Sequence, residues 1–334
     1  MDQESALIQP IYTQESNFEQ AIDGDIAHLW ESRQDGFIKS RDKTKIHWIS
    51  LTSIHHSKAV VIVNGRIECT EKYQELFYDL YQQGYDIHSY DHRGQGLSGR
   101  LIDDKQMGYV YEFNDYVDDL ALMVEHFPLA QYQQCHLIAH SMGGNIATRY
   151  LQTHPEHPFH SIALSAPMFG VSLPWYLKPI AVQVGQVLDA ISAKPSYAPG
   201  QCAYYPKPFE DNRLSQSDVR YHWFRNLYEN KPELRIGGAS TRWVWQGLMA
   251  SKLCILLTRQ IKLPLLLLQA SEDQIVSNSA QIKFMKKLAK TNTHCALSII
   301  HGARHEILFE KDECRNHALD TMLSFFANVE SHNE

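Results

Sequence analysis

Short apolar runs alternate with amphipathic helical patterns along most of this chain, and that alternation restricts the fold more than any other feature. The run KAVVIVNGR reads as a valine-rich strand. EKYQELFYDLYQQG follows it, with Tyr73, Leu76, Phe77 and Leu80 at helical spacing and a stop at Gly84. YDIHSYDHRGQG is a second strand running into glycines. The helix FNDYVDDLALMVEHF comes next, with Val117, Leu120, Val124 and Phe127 on one stripe. CHLIAHSMGGNIATRYL then reads as strand, tight turn and helix, and SIALSAPMF as a further strand. Strands alternating with helices predict a mostly parallel central sheet with helices on both faces. Ahead of them, residues 18–30 predict one amphipathic helix, and GFIKS and KIHWISL predict a hairpin turning at 41–43.

The alternation breaks once. Between Pro167 and Ala250 lie eight of the thirteen prolines and four of the six tryptophans, and no strand–helix order can be read there. Beyond it come the strand LPLLLLQA, a helix through AQIKFMKKLAK, the strand HCALSII and a last helix over 312–328. The expected organisation is an α/β core of residues 1–166 and 251–334, with 167–250 inserted as a helical cap over one end of the sheet.

Several function classes are disfavoured. The longest apolar runs, 59–63 and 263–268, fall far short of the ~20 residues that span a bilayer. The acidic, polar N-terminus lacks the basic start and apolar block of a secretory signal, so a cytoplasmic, non-secreted protein is expected. A net charge of −7 argues against a nucleic-acid surface. The six cysteines are scattered without metal-ligand spacing and read as reduced thiols. HEILF opens like a zinc-protease helix, but Phe309 stands where the second ligand is needed, so no metal is expected. Gly94, Gly96 and Gly99 match G-x-G-x-x-G, yet the following residues do not form an amphipathic helix. The segment reads instead as a flexible loop beside a site mouth, and no cofactor is expected.

The turn in HSMGG holds the candidate nucleophile, Ser141. A serine on a sharp strand-to-helix turn stands exposed above the sheet edge, and its neighbours must be small, as Ala139, Gly143 and Gly144 are. Serine is a poor nucleophile until a base accepts its proton. Asp273, just past the strand LPLLLLQA, and His305, in the loop after HCALSII, follow in the order the elbow architecture requires. Glu272 is the rival acid and His301 the rival base. The backbone N–H of Met142, at the helix start, and that of Arg66, in the NGRIEC loop, are the expected oxyanion donors.

Together DHRGQGLSGR, FNDYVDDL, HSMGG, LSAPMFG, LLLQASED and HEILFEKD resemble the bacterial lysophospholipases of the L-two type, within the monoglyceride-lipase-like α/β-hydrolases. The resemblance runs from about Trp30 to Phe326. It implies the α/β-hydrolase fold, a capped serine-hydrolase site with Ser141, Asp273 and His305 as triad, and removal of the acyl chain from lysophospholipids. It also implies acyl transfer between lysophospholipids and loose attachment to the cytoplasmic membrane. Where the broader lipases carry His-Gly, this chain has Asn64-Gly65, and Ala139 replaces a glycine.

Three other functions remain open: a monoacylglycerol lipase or general carboxylesterase, an aminopeptidase on the same scaffold, and a silent binding protein. For substrate contacts the cap offers amphipathic Trp175, Tyr176, Trp223, Trp243 and Trp245, which suit an acyl tunnel or a bilayer surface. It also offers Arg213, Arg220, Arg225, Lys231, Arg235 and Arg242. Of these, Arg225, Arg235 and Arg242 are the candidates to hold a head-group phosphate.

Overall fold

The computed structural model describes residues 12–171 and 180–331. Its strands are β1 (Gln34–Lys39), β2 (Lys45–Leu51), β3 (Lys58–Val63), β4 (Tyr85–Tyr90), β5 (Gln134–His140), β6 (Ser161–Ser165), β7 (Leu265–Ala270) and β8 (Cys295–Ile300). They form one eight-stranded sheet in the order β1-β2-β4-β3-β5-β6-β7-β8. The hairpin strand β2 runs antiparallel to both β1 and β4, and every pair from β4 to β8 is parallel. This is the mostly parallel sheet that the alternation predicts.

The apolar runs are continuous because successive side chains serve opposite faces. Val61 and Val63 of β3, Leu137 and Ala139 of β5, and Leu265 and Leu267 of β7 enter one core, with α4 (Asn114–His126), α5 (Met142–Thr153) and α9 (Asn278–Leu288). Val60, Ile62, Ile138, Leu266 and Leu268 enter the other, with α3 (Gln74–Gln82) and α10 (Asp312–Ser331). On α4 the buried positions are Tyr116, Val117, Asp119, Leu120 and Met123. Val124, expected on that stripe, only half buries, while Phe127 is buried just past the helix end.

Two local expectations change. The single helix expected over 18–30 is two, α1 (Phe18–Asp23) and α2 (Asp25–Glu31), because Gly24 takes a ψ of −106° that no α-helix accommodates. Between β6 and β7 lie α6 (Ala181–Ile191), α7 (Asp218–Asn230) and α8 (Thr241–Leu256). Helix α8 passes residue 250 without a break. Its later part is tied to α5 by Asn145 Nδ2 donating to Ser251 Oγ at 3.0 Å and Gln152 Nε2 donating to Cys254 O at 2.8 Å. Among the described residues no helix is long and apolar enough to cross a membrane.

Candidate active site

Ser141 sits between β5 and α5 with φ 51° and ψ −114°, a backbone state that non-glycine residues rarely hold. It persists because the turn is tied on both sides. The Ser141 N–H donates to Ser165 O at 3.0 Å, and Ser141 O accepts from the Met168 N–H at 2.9 Å. The small residues after it have a specific cause. A Cβ on Gly143 would lie 2.2 Å from Val63 O and 2.4 Å from Asn64 O, and one on Gly144 would lie 2.8 Å from Pro167 Cβ. The tightest contact is therefore with the end of β3, which the local sequence does not reveal. Ala139 is fully buried in register with Val63 and Leu164.

His305 Nε2 lies 2.9 Å from Ser141 Oγ, and His305 Nδ1 lies 2.7 Å from Asp273 Oδ2. The other oxygen of Asp273 accepts the N–H groups of Ile275 at 2.7 Å and Val276 at 2.9 Å. Burial alone would raise the Asp273 pKa. The bond and charge of His305, with those two N–H groups, outweigh it and hold the carboxyl below its usual range. Glu272 and His301, the rival acid and base, are exposed. His140, whose ring lies 5.0 Å from that of His305, is pushed down to about 4, chiefly by burial. It is therefore neutral at physiological pH and does not repel an imidazolium on His305.

The loop 64–68 after β3 carries the second expected oxyanion donor, and its backbone is pinned around that residue. The Gly65 N–H donates to Glu68 Oε2, and the Ile67 N–H donates to Gln95 Oε1 at 3.0 Å. His92 Nε2 contacts Asn64 O at 2.9 Å, and Gln95 Nε2 donates to Gly65 O at 3.0 Å. Ile67, with φ 64°, is forced into a left-handed conformation that a β-branched side chain avoids. Met142 is the first residue of α5, so its N–H has no intrahelical acceptor. Gln95 and His92 belong to the DHRGQG segment, read from sequence as flexible. It is mostly buried and wound around Asp91, which accepts the N–H groups of Thr70 and Leu97. The glycine pattern makes a brace for the loop below Ser141.

Sequence reading missed Lys72. Its buried ammonium lies 2.8 Å from Glu68 Oε1 and 2.7 Å from Glu306 Oε1. One cation thus joins the loop after β3 to the residue beside His305. Burial opposes these charges, but Glu306 and then Glu68 raise the Lys72 pKa, and Lys72 in turn lowers that of Glu68 to about 2. The i,i+4 spacing of Glu68 and Lys72 was the available signal; the Glu306 partner was not.

Ser141 and His305 open into a cavity of about 1070 Å³, much of whose described lining comes from residues between β6 and β7. Apolar side chains such as Met168, Val184, Leu188, Val244 and Leu248 line much of it.

A family model described as serine aminopeptidase, S33, matches residues 54–312. The chain belongs to this family of α/β-hydrolases. It is 36% identical over 323 residues to lysophospholipase L2 of Escherichia coli K12, covering 94% of this chain and 93% of that one. It is also 36% identical over 275 residues to a probable lysophospholipase L2 of Haemophilus influenzae, covering 82% and 85%. The resemblance to L-two-type enzymes therefore holds over nearly the whole chain. Monoglyceride lipase of Saccharomyces cerevisiae superposes with a TM-score of 0.69 at 19% identity, over 89% of this chain and 96% of that one. A carboxyl esterase of Bacillus coagulans gives 0.70 at 15%, over 89% and 99%. At such identities these two structures establish the fold.

The candidate substrate-contact residues between β6 and β7 of this hydrolase divide sharply. Arg225 and Arg213 line the cavity. Arg235 and Arg242, both candidates for the head group, are not on its wall: Arg235 pairs with Glu229 at 2.8 Å and Arg242 with Asp189 at 2.9 Å. Arg220 is buried against Glu75 and Asp312, each at 2.8 Å, and Lys231 pairs with Glu71. Trp243 lines the cavity with Nε1 3.2 Å from Tyr116 Oη. Trp223 instead packs on Phe18, and Trp245 on Gly185. Trp175 and Tyr176 lie outside the described residues.

Proposed function

We propose that this hydrolase removes the acyl chain of lysophospholipids through an acyl-serine intermediate. The observation that carries the reading is the hydrogen-bonded run Asp273–His305–Ser141 opening into a large, mostly apolar cavity. Ser141 Oγ attacks the ester carbonyl as His305 Nε2 takes its proton. Asp273 holds the imidazole in the accepting tautomer and stabilises the imidazolium. The oxyanion rests on the N–H groups of Met142 and Arg66. His305 then protonates the departing glycerol oxygen, and water, activated in turn by His305, releases the fatty acid. A second lysophospholipid taking the place of water would receive the chain on its free hydroxyl, which gives transacylation.

Residues 167–250 act as the cap on a core of 1–166 and 251–334, with α8 crossing the seam. Val184 and Leu188 of α6 line the cavity and are partly exposed, and Val187 and Ile191 beside them are 59% and 74% exposed. Such a rim suits peripheral contact with a lipid surface, here the cytoplasmic membrane face. The family description raises peptide hydrolysis as a second reading. A substrate amine would have to compete with Lys72, which already pairs with both carboxylates on the described wall, Glu68 and Glu306. Lysophospholipid and monoacylglycerol of one chain length, assayed beside an aminoacyl-anilide, test the reading, with fluorophosphonate labelling locating the nucleophile. Loss of both labelling and ester hydrolysis in Ser141→Ala is expected. Full labelling of that variant, or turnover of the anilide alone, would overturn it.

A further inference from the structure

Among the described residues four arginines are buried; three are matched to carboxylates and the fourth, Arg149, donates to Gln152 Oε1. Arg93 pairs with Asp119 at 2.6 Å, Arg220 with Glu75 at 2.8 Å and Arg315 with Asp79 at 2.6 Å. Arg66 differs. Its side chain lines the cavity that holds Ser141, with Nη1 donating to Gly237 O at 3.2 Å and the guanidinium carbon 5.2 Å from the Trp243 ring centre. No carboxylate of the described residues pairs with it. Burial pulls its pKa down to about 10, which still leaves it charged at physiological pH. Arg225, on the same wall, lies 5.0 Å from the ring centres of Tyr221 and Phe224, and its buried Nε has no hydrogen-bond partner in the structure.

Both residues are half-buried, and a cation partly withdrawn from water without a counter-charge carries a cost that an anionic ligand removes. The transient oxyanion is not that ligand, because backbone N–H groups meet it and both guanidinium groups carry full charge before any reaction. The described wall as a whole leans the same way. Arg66, Lys72, Lys207, Arg213 and Arg225 face only Glu68 and Glu306, in a chain whose net charge is −7. Guanidinium forks match phosphate oxygens in shape as well as charge.

We propose that the Arg66 and Arg225 side chains form the receptor for the substrate's phosphodiester, so that this wall selects a phosphate-bearing lysolipid over a neutral glycerol ester. The proposal rests on the lysolipid reading above and adds to it the groups that read the head group. It gives Arg66 two tasks, one for its backbone and one for its side chain.

The test is binding to the Ser141→Ala protein, which needs no turnover. Calorimetry would compare a decyl ether lysophosphatidylcholine, which has no ester to cleave, with decyl glycerol ether. Arg66→Met should weaken the phosphate-bearing lipid ~10-fold or more relative to the neutral one, and Arg66→Lys should restore part of the loss. Equal losses on both ligands would overturn the proposal while leaving the acyl-serine chemistry standing. If Arg66→Met does not fold, Arg225→Met on α7 decides by the same comparison. Inorganic phosphate binding as tightly as the ether lysolipid would assign the site to a free anion and overturn it. So would a variant that loses affinity for decanoate alone, since that pattern marks a site for the fatty acid product.

Discussion

Beneath the cavity, residues 64–68 are held by Glu68, His92 and Gln95, and through Lys72 they are tied to the histidine loop. At the cavity's rim, helix α6 is held very differently. Gly185 packs against Trp245, and Asp189 meets Arg242 at 2.9 Å and Trp245 Nε1 at 3.3 Å, while Val187 and Ile191 face outward. The floor must keep several groups within tenths of an ångström for charge to develop on a single oxygen. A rim that admits a long acyl chain and meets lipid, as proposed here, is better served by few fixed polar contacts. The contrast implies that damage to the floor is read in chemistry and stability, and damage to the rim in lipid delivery.

The proposed triad should give the largest effect. Ser141→Ala, His305→Ala and Asp273→Asn should each lower kcat by at least ~10³-fold with little change in melting temperature, measured on a soluble short-chain ester. Normal turnover in the Asp273 variant would move the acid role elsewhere.

Lys72→Met comes next, and its effect is on stability. It leaves Glu68 and Glu306 buried without their cation, and urea unfolding should show a loss of about 3–5 kcal/mol. The pH dependence follows from the pair's shifts. With its carboxyl lowered from 4.5 to about 2, Glu68 contributes stability that is complete above pH 4.5 and lost as pH falls toward 2. The raised Lys72 contributes below its ordinary value of 10.5, and that share is lost as pH rises through its folded-state value. The stability gap between wild type and variant should therefore be full near neutral pH and should narrow as pH falls from 4.5 toward 2, where the wild type loses the same contribution. An unchanged acid limb would show that the pair does not stabilise the floor.

A smaller loss is expected from crowding the elbow. Ala139→Val puts a branched side chain between Val63 and Leu164, should displace the Met142 N–H, and should cut kcat by ~10²-fold. Ala139→Gly should stay within about 1 kcal/mol of wild-type stability, because Ala139 lies within a regular strand and needs none of glycine's freedom. A fully active valine variant would show the floor to be looser than its hydrogen bonds suggest.

The smallest effect belongs to the rim. Replacing Val187 and Ile191 together by serine should lower hydrolysis of vesicle-borne lysolipid several-fold, and should leave turnover of a soluble ester and the melting temperature near wild type. Equal losses on both substrates would erase the distinction between floor and rim.

Much of the architecture could be read from the sequence because its causes are local. Period-two and period-3.6 apolar patterns state which face each element buries. The chain order of Ser141, Asp273 and His305 survives any detail of packing. The fate of the charges could not be read that way. Arg220, Arg225 and Arg242 look alike in the sequence, yet one is bolted to Glu75 from 145 residues away, one faces the cavity without a carboxylate, and one is neutralised by Asp189. The same holds for the glycines of DHRGQG, which suggest a mobile loop until Gln95 is found bonding to Gly65 and Ile67. An apolar stripe is written within a dozen consecutive residues. A charge or a loop finds its partner only when distant segments pack together, so the sequence by itself determined the sheet, the strand-to-helix turn at Ser141 and the chain order of Ser141, Asp273 and His305. Tertiary structure decided which cations brace the fold and which are left facing the cavity.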